Sequence, residues 1–231
     1  MNIKYTLLLI LVSLLLSCKK ETNVVVTNIT TGKLSYKLVD NSGKGLSGVK
    51  VSISENSSNN SMNYVPIESI MTNQDGVAEF SEHAAGNYRI SADTAVADQV
   101  KYLAREDVQV VAGINKKKET KVTDFTGTIN VTVRSRRDYV TLLPNIMVVA
   151  QPYPFYNDAS SVHEIVESAK IKGVTNALGV ATLKIPSNIR YYIILYTIGA
   201  GIYSTEAEVI SLSKDEKRSY SLYTYRNNQG T

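Results

Sequence analysis

The chain has 231 residues, 25 Lys and Arg against 21 Asp and Glu, and a single cysteine, Cys18. One cysteine excludes an intramolecular disulfide and any metal site built from several thiolates. The net charge of +4 is too scattered for a nucleic-acid surface, and the densest basic run, Lys116 to Lys118, reads as a solvated turn.

Lys4 places a positive charge before an almost unbroken apolar run over residues 5–16 (YTLLLILVSLLL). The run is about twelve residues long, short of the roughly twenty that a membrane-spanning helix needs. A charged start followed by a short apolar segment is the layout of a cleaved secretory signal, here residues 1–17. The run ends in Leu15, Leu16, Ser17 and Cys18, which resembles the bacterial lipobox. That resemblance implies cleavage before Cys18, alkylation of its thiol with diacylglycerol, and attachment to a membrane through the lipid. Two or three acyl chains make such attachment effectively permanent, because each buried methylene contributes about 0.8 kcal/mol. Lys19 stands where an inner-membrane retention signal would have Asp, so the implied location is the bacterial outer membrane, on its periplasmic or surface-exposed face. Residues 18–31 then form a lipidated tether, of which the stretch 19–31 beyond the anchor reaches at most about 45 Å if fully extended.

Beyond the tether the chain is long enough for two small domains or one large sandwich. It is built from short alternating segments bounded by Gly, Asn, Asp and Ser: residues 33–39 (KLSYKLV), 49–53 (VKVSI), 128–133 (TINVTV) and 146–150 (IMVVA). Period-two runs at this spacing predict half-buried strands. Residues 162–171 offer the best helical period, and it is short.

The pattern occurs twice. Residues 72–80 (TNQDGVAEF) match residues 175–183 (TNALGVATL) at one constant offset, with Thr, Asn, Gly, Val and Ala identical. Upstream stand 46–49 (LSGV) and 143–146 (LPNI), downstream 87–91 (NYRIS) and 190–194 (RYYII). Each copy closes with what reads as a final hairpin, 108–111 into 120–122 and 207–210 into 220–222. Gly76 and Gly179 fall where a tight hairpin needs positive φ. An alternation beginning at Val77 turns Glu79 inward and Phe80 outward, so a bulge or two-sided burial is expected there.

A first strand, an L-x-G-V second strand, a T-x-x-x-G-x-A-x-F turn and then G-x-Y-x-I together resemble the carboxypeptidase regulatory-like, or transthyretin-like, family, and are also similar to adhesin B-type repeats. The resemblance implies an all-β chain of two tandem immunoglobulin-like, prealbumin-like antiparallel sandwiches, residues 32–123 and 124–231. It further implies a spacer, adhesion or recognition role and no peptidase activity. In the second copy Pro144 and Asn145 stand where the family has a Gly. Adhesin repeats of this kind can carry Lys–Asn cross-links. Lys33, Lys37 and Glu79 could supply two parts, but residues 120–123 supply no Asn.

No familiar catalytic arrangement appears, so no enzyme activity, catalytic residue, metal or cofactor is expected. His83 and His163 read as loop residues. Asn73, Asp75 and Glu82 have a partial calcium-loop spacing without the helical frame or the first acidic ligand, and the second copy has no acid there. The remaining candidate is aromatic: Tyr153, Phe155 and Tyr156 lie in a connection between strands, where rings with nearby amides and carboxylates suit a protein or glycan ligand. The expected function is a membrane-anchored structural, adhesion or ligand-binding protein. The alternative is an accessory subunit docked on an outer-membrane receptor, transporter or hydrolase.

Overall fold

The structure, a computed structural model, describes residues 30–56, 64–153, 162–197 and 203–225. The chain is all-β, as expected. The strands are β1 (Thr31–Val39), β2 (Lys50–Asn56), β3 (Tyr64–Met71), β4 (Val77–Glu79), β5 (His83–Ala84), β6 (Gly86–Ala97), β7 (Val100–Val110) and β8 (Asn115–Lys121). A 3-10 turn (Val122–Asp124) leads into β9 (Thr126–Ser135), β10 (Ile146–Pro152), helix α1 (Val162–Ser168), β11 (Ile171–Val174), β12 (Val180–Pro186), β13 (Tyr191–Thr197), β14 (Tyr203–Ile210) and β15 (Lys217–Thr224).

The strands form two copies of one arrangement. One sheet runs β3-β2-β6-β7, facing a sheet in which β1 lies between β4 and β8; the second copy has β11-β10-β13-β14 facing β12-β9-β15. Alternation supplies the cores. Leu34, Tyr36 and Leu38 of β1 point inward and are essentially inaccessible, as are Ile129, Val131 and Val133 of β9, each contributing roughly 1.5–3 kcal/mol of burial. The first core gathers residues from Leu34 to Phe125, and the second gathers residues from Ile129 to Leu222.

The residues that repeat are those that hold the turn. Thr72 Oγ1 donates to the Leu46 carbonyl at 2.6 Å and accepts the Val49 N–H at 2.9 Å. Thr175 Oγ1 donates to the Leu143 carbonyl at 2.7 Å and accepts the Ile146 N–H at 2.9 Å. Asn73 Oδ1 accepts the N–H groups of Asp75 and Val77 at 3.0 and 2.9 Å, as Asn176 Oδ1 accepts those of Leu178 and Val180 at 2.9 and 3.1 Å. Gly76 and Gly179 have φ of 79° and 66°, conformations that a Cβ disfavours. A Cβ on Gly76 would also stand 2.4 Å from the Leu38 oxygen. The Pro144–Asn145 departure preserves the backbone: Asn145 adopts φ 60° where Gly48 has 71°, and Asn tolerates this region better than most side chains.

The hairpin expectations are corrected. The Asn73–Gly76 turn carries the chain from β3, paired with β2, across to β4, paired with β1 in the opposing sheet; the second turn likewise joins β11 to β12 across the sandwich. The final strands also cross: β7 pairs with β6, whereas β8 runs parallel to β1, and β15 runs parallel to β9. Crossing brings the last strand beside the first and extends that sheet. The expected bulge after Val77 is also corrected. Ala78 and Phe80 face the core while Val77 is half-buried and Glu79 exposed, so the small Ala is the inward residue; Ala181 and Leu183 repeat this parity.

In the second sandwich one sheet is buried on both faces. Val148 lies in the main core, whereas Val149 packs outward with Val166 and Ala169, on and just beyond α1, and with the half-buried Ile194 and Tyr196. Two-sided burial explains why residues 146–150 are apolar throughout.

Candidate functional site

The histidines do not sit in loops. His163 falls within α1 and His83 within β5, paired to β1. Nε2 of His83 lies 2.7 Å from Glu68 Oε2, and Ser81 Oγ donates to the same carboxylate oxygen at 2.8 Å. Burial works against the Glu68 charge, but the Ser81 and His83 hydrogen bonds outweigh it and hold its carboxyl below the ordinary value. Ser81 thus addresses the carboxylate and not the imidazole, an arrangement that fastens β3 to β5 and does not activate a nucleophile. The sequence did not reveal this pairing because Glu68 comes from another strand, fifteen residues before His83.

A second polar node joins the sheets inside the first sandwich. Glu106 accepts hydrogen bonds from Tyr36 Oη and Thr120 Oγ1, both at 2.6 Å, and pairs with Lys118 Nζ at 2.6 Å. Burial raises its pKa, but the bonds from Lys118, Thr120 and Tyr36 prevail and hold the carboxyl below the usual range. Burial, then the neighbouring carboxylate, push the Tyr36 phenol far upward. Among the described residues no buried side-chain nitrogen or oxygen lacks a partner, and the Glu106 node reads as a satisfied structural network.

The residues with calcium-like spacing are likewise engaged in the fold. Asn73 closes its turn, while Glu82 accepts from Thr31 Oγ1 at 3.0 Å and pairs with Lys33 at 3.5 Å. Lys37 pairs with Glu119 at 2.9 Å, and Glu79 accepts from Ser35 Oγ at 2.9 Å, so neither lysine meets the acid considered for a cross-link.

Of the aromatic candidates, Phe155 and Tyr156 lie outside the described residues, as does Cys18. Tyr153 follows directly on β10. Its N–H donates to the Arg190 carbonyl at 2.8 Å, its ring centroid lies 5.2 Å from that of Tyr192 at 52°, and the Arg190 guanidinium stands 4.3 Å from the ring centre. Two half-exposed rings and a guanidinium therefore share one edge of the sheet, stabilised by tilted aromatic packing and cation–π attraction of about 0.5–1 kcal/mol each. Arg190 and Tyr192 were legible only as strand residues; that Tyr192 shares a face with Tyr153 follows from the register Pro152 opposite Tyr191. Beside this edge a cleft of about 250 Å³ is lined by Gln99 and Lys101 from the β6–β7 hairpin and by Gln151, Pro152, Lys170 and Tyr191. The hairpin reaches it through a tight turn in which Asp98 and Gln99 have φ of 52° and 63°, the left-handed pair that suits a two-residue hairpin.

No family model matches the sequence, and no curated protein matches it. Among solved structures, the Bacillus anthracis TIE protein is 19% identical with a TM-score of 0.37, over 84% of this chain and 34% of that one. A streptococcal ancillary pilin is 17% identical with a TM-score of 0.34, over 87% of this chain and 64% of that one. GBS52, the minor pilin of Streptococcus agalactiae, is 12% identical with a TM-score of 0.36, over 87% of this chain and 98% of that one. The chain thus spans less than two thirds of the length of the first two.

Proposed function

We propose that the chain is a non-enzymatic lipoprotein of a bacterial outer membrane, held by lipid on Cys18 and carrying two tandem β-sandwiches of the carboxypeptidase regulatory-like kind as a binding and spacer module. The observation that carries the binding role is the division of labour among residues. Thr72, Asn73 and Gly76, with their counterparts Thr175, Asn176 and Gly179, are all engaged in holding the turns. The rings of Tyr153 and Tyr192 beside Arg190 take no part in those turns, and they enlarge what in the first sandwich is a single pair, the Arg89 guanidinium 3.7 Å from the centre of the Tyr64 ring. Together with Phe155 and Tyr156 they suit a ligand with flat apolar faces and hydrogen-bonding edges, such as a glycan or a peptide.

The test is joint replacement of Tyr153, Phe155 and Tyr156 by Ala in the full chain, read on glycan and peptide arrays with circular dichroism as the fold control. Loss of the array signal with an intact fold supports the reading; an unchanged signal refutes the site.

A partner-docking role has one observation in its favour. β3 is an outer strand of its sheet and exposes Val65, Ile67 and Met71, apolar residues of a kind that bare sheet edges usually avoid.

A further inference from the structure

The two sandwiches provide an internal comparison that separates what the fold requires from what it does not. β9 begins at Thr126 and runs for 10 residues, so the connection that follows it lies about 30 Å from the start of the second sandwich. Three segments meet at this far end. The β9–β10 loop is folded back by Ser135 N–H to the Thr141 carbonyl at 2.8 Å and Tyr139 N–H to the Ser135 carbonyl at 2.8 Å. The β11–β12 turn lies alongside, since a Cβ on Gly179 would stand 3.2 Å from Leu142 Cβ. The end of β15 completes the surface, with the Tyr223 ring 5.3 Å from Tyr139 and the Arg136 guanidinium 5.7 Å from the centre of the Tyr225 ring.

This end is unusually apolar for a set of loops. Tyr139 is 59% exposed, Val140 70% and Leu178 67%. The first sandwich builds the same turn without them. The position of Leu178 is taken by Asp75, and the loop over residues 40–44 is Asp-Asn-Ser-Gly-Lys, yet the backbone bonds are the same: Leu46 N–H to the Leu38 carbonyl at 2.9 Å, and Leu143 N–H to the Val133 carbonyl at 2.9 Å. The exposed side chains of the second sandwich are therefore not demanded by its architecture. They are presented on a shaped loop. Asp138 fixes it by accepting the N–H groups of Val140 and Thr141 at 3.1 and 3.0 Å and the Thr141 hydroxyl, and Tyr139 adopts φ 60°.

The charge of the surface selects its occupant. Across residues 134–145, 174–179 and 222–225 the cations are Arg134, Arg136 and Arg137, and the only carboxylate is Asp138, already engaged within the loop. Arginine forks match carboxylates bidentately, and Tyr, Arg and aliphatic side chains together are the usual composition of strong contact points between proteins. We infer that the far end of the second sandwich, where Tyr139, Val140 and Leu178 stand exposed among Arg134, Arg136 and Arg137, docks an acidic, aromatic-containing segment of a partner protein. This rests on the binding-module reading but is independent of the Tyr153 edge.

The experiment uses the full chain in detergent and three immobilised probes: a random Glu–Tyr copolymer, vesicles of phosphatidylethanolamine and phosphatidylglycerol, and heparin. Leu178→Asp restores the residue that the first sandwich tolerates at this turn, so it preserves the fold; Val140→Asp and Arg137→Glu address the same surface from the loop. The expected result is salt-sensitive binding to the copolymer, weakened at least tenfold by Leu178→Asp combined with Val140→Asp and similarly by Arg137→Glu, and unchanged by Lys117→Glu, a charge reversal at an exposed position of β8 in the first sandwich. No binding to the copolymer, binding that survives these substitutions, or stronger retention by the vesicles or heparin would overturn the inference. Sensitivity to Tyr153→Ala instead would return the function to the other site.

Discussion

Replacing Thr175 by Val removes one oxygen and keeps the shape of the side chain, and the structure sets the consequence. Thr175 is 2% exposed and its hydroxyl serves two backbone groups, the Leu143 carbonyl at 2.7 Å and the Ile146 N–H at 2.9 Å. Each backbone group deprived of its partner in a buried setting costs about 1–3 kcal/mol. The added methyl returns about 0.8 kcal/mol through burial. The net expectation is a loss of roughly 1–5 kcal/mol, a drop of about 5 °C or more in the melting midpoint for a unit of this size. With no tryptophan and 15 tyrosines in the chain, the assay is urea unfolding followed by tyrosine fluorescence and far-ultraviolet circular dichroism. Thr72→Val should produce the same loss in the first sandwich, because its two bonds are the same. Thr175→Ser, which keeps the hydroxyl, should cost about 1 kcal/mol or less. A loss below about 0.5 kcal/mol for both Val variants would show that the turn is held by something other than this threonine, and the structural reading of the repeat would fail.

Asn145→Gly should leave stability within about 0.5 kcal/mol, while Asn145→Leu should cost about 1–2 kcal/mol, since φ is positive there and a Cβ-bearing residue without a local hydrogen bond resists it; thermal melts distinguish the two. The Glu106 carboxyl is held below its ordinary value in the folded chain by Lys118, Thr120 and Tyr36 against the effect of burial. Its contribution to stability is therefore present above the unfolded carboxylate pKa and is lost as pH falls through the folded one. Glu106→Gln should flatten the acid limb of the first sandwich's stability profile and leave the second sandwich unchanged, as read from urea midpoints between neutral pH and pH 3.

The sequence and the structure agree where the physics is local. Alternation in residues 33–39 and 128–133 gave β1 and β9 because Leu34, Tyr36 and Leu38, like Ile129, Val131 and Val133, fill a core while Lys33, Lys37, Thr128, Asn130 and Thr132 stay accessible. The repeat was visible because Thr, Asn and Gly at the turn have few substitutes that keep both hydrogen bonds and positive φ. What the sequence left open was which sheet each strand joins. A turn with Gly76 at positive φ reads alike whether the next strand lies beside the previous one or across from it, and only the pairing of β4 with β1 decides. The parity after Gly76 was misread because Val77 is the stronger hydrophobe, although Ala78 fits the closely approaching sheets. His83 gained its carboxylate from Glu68 and Tyr153 its neighbours from Arg190 and Tyr192, through strand register. The exposed Tyr139, Val140 and Leu178 stood out only once the first sandwich showed that the same turn closes with Asp75.

The proposed display role depends most on Cys18, since a lipid anchor there is what would hold the two sandwiches at a membrane. Intact-mass and N-terminal peptide analysis of the protein recovered from the cell's membrane fraction tests it directly. Lipid anchoring at Cys18 requires a chain beginning at residue 18 with diacylglycerol on the thiol, and loss of membrane association in Cys18→Ala. A chain that stays in the membrane fraction with residues 1–17 attached, or with an unmodified Cys18, would contradict it.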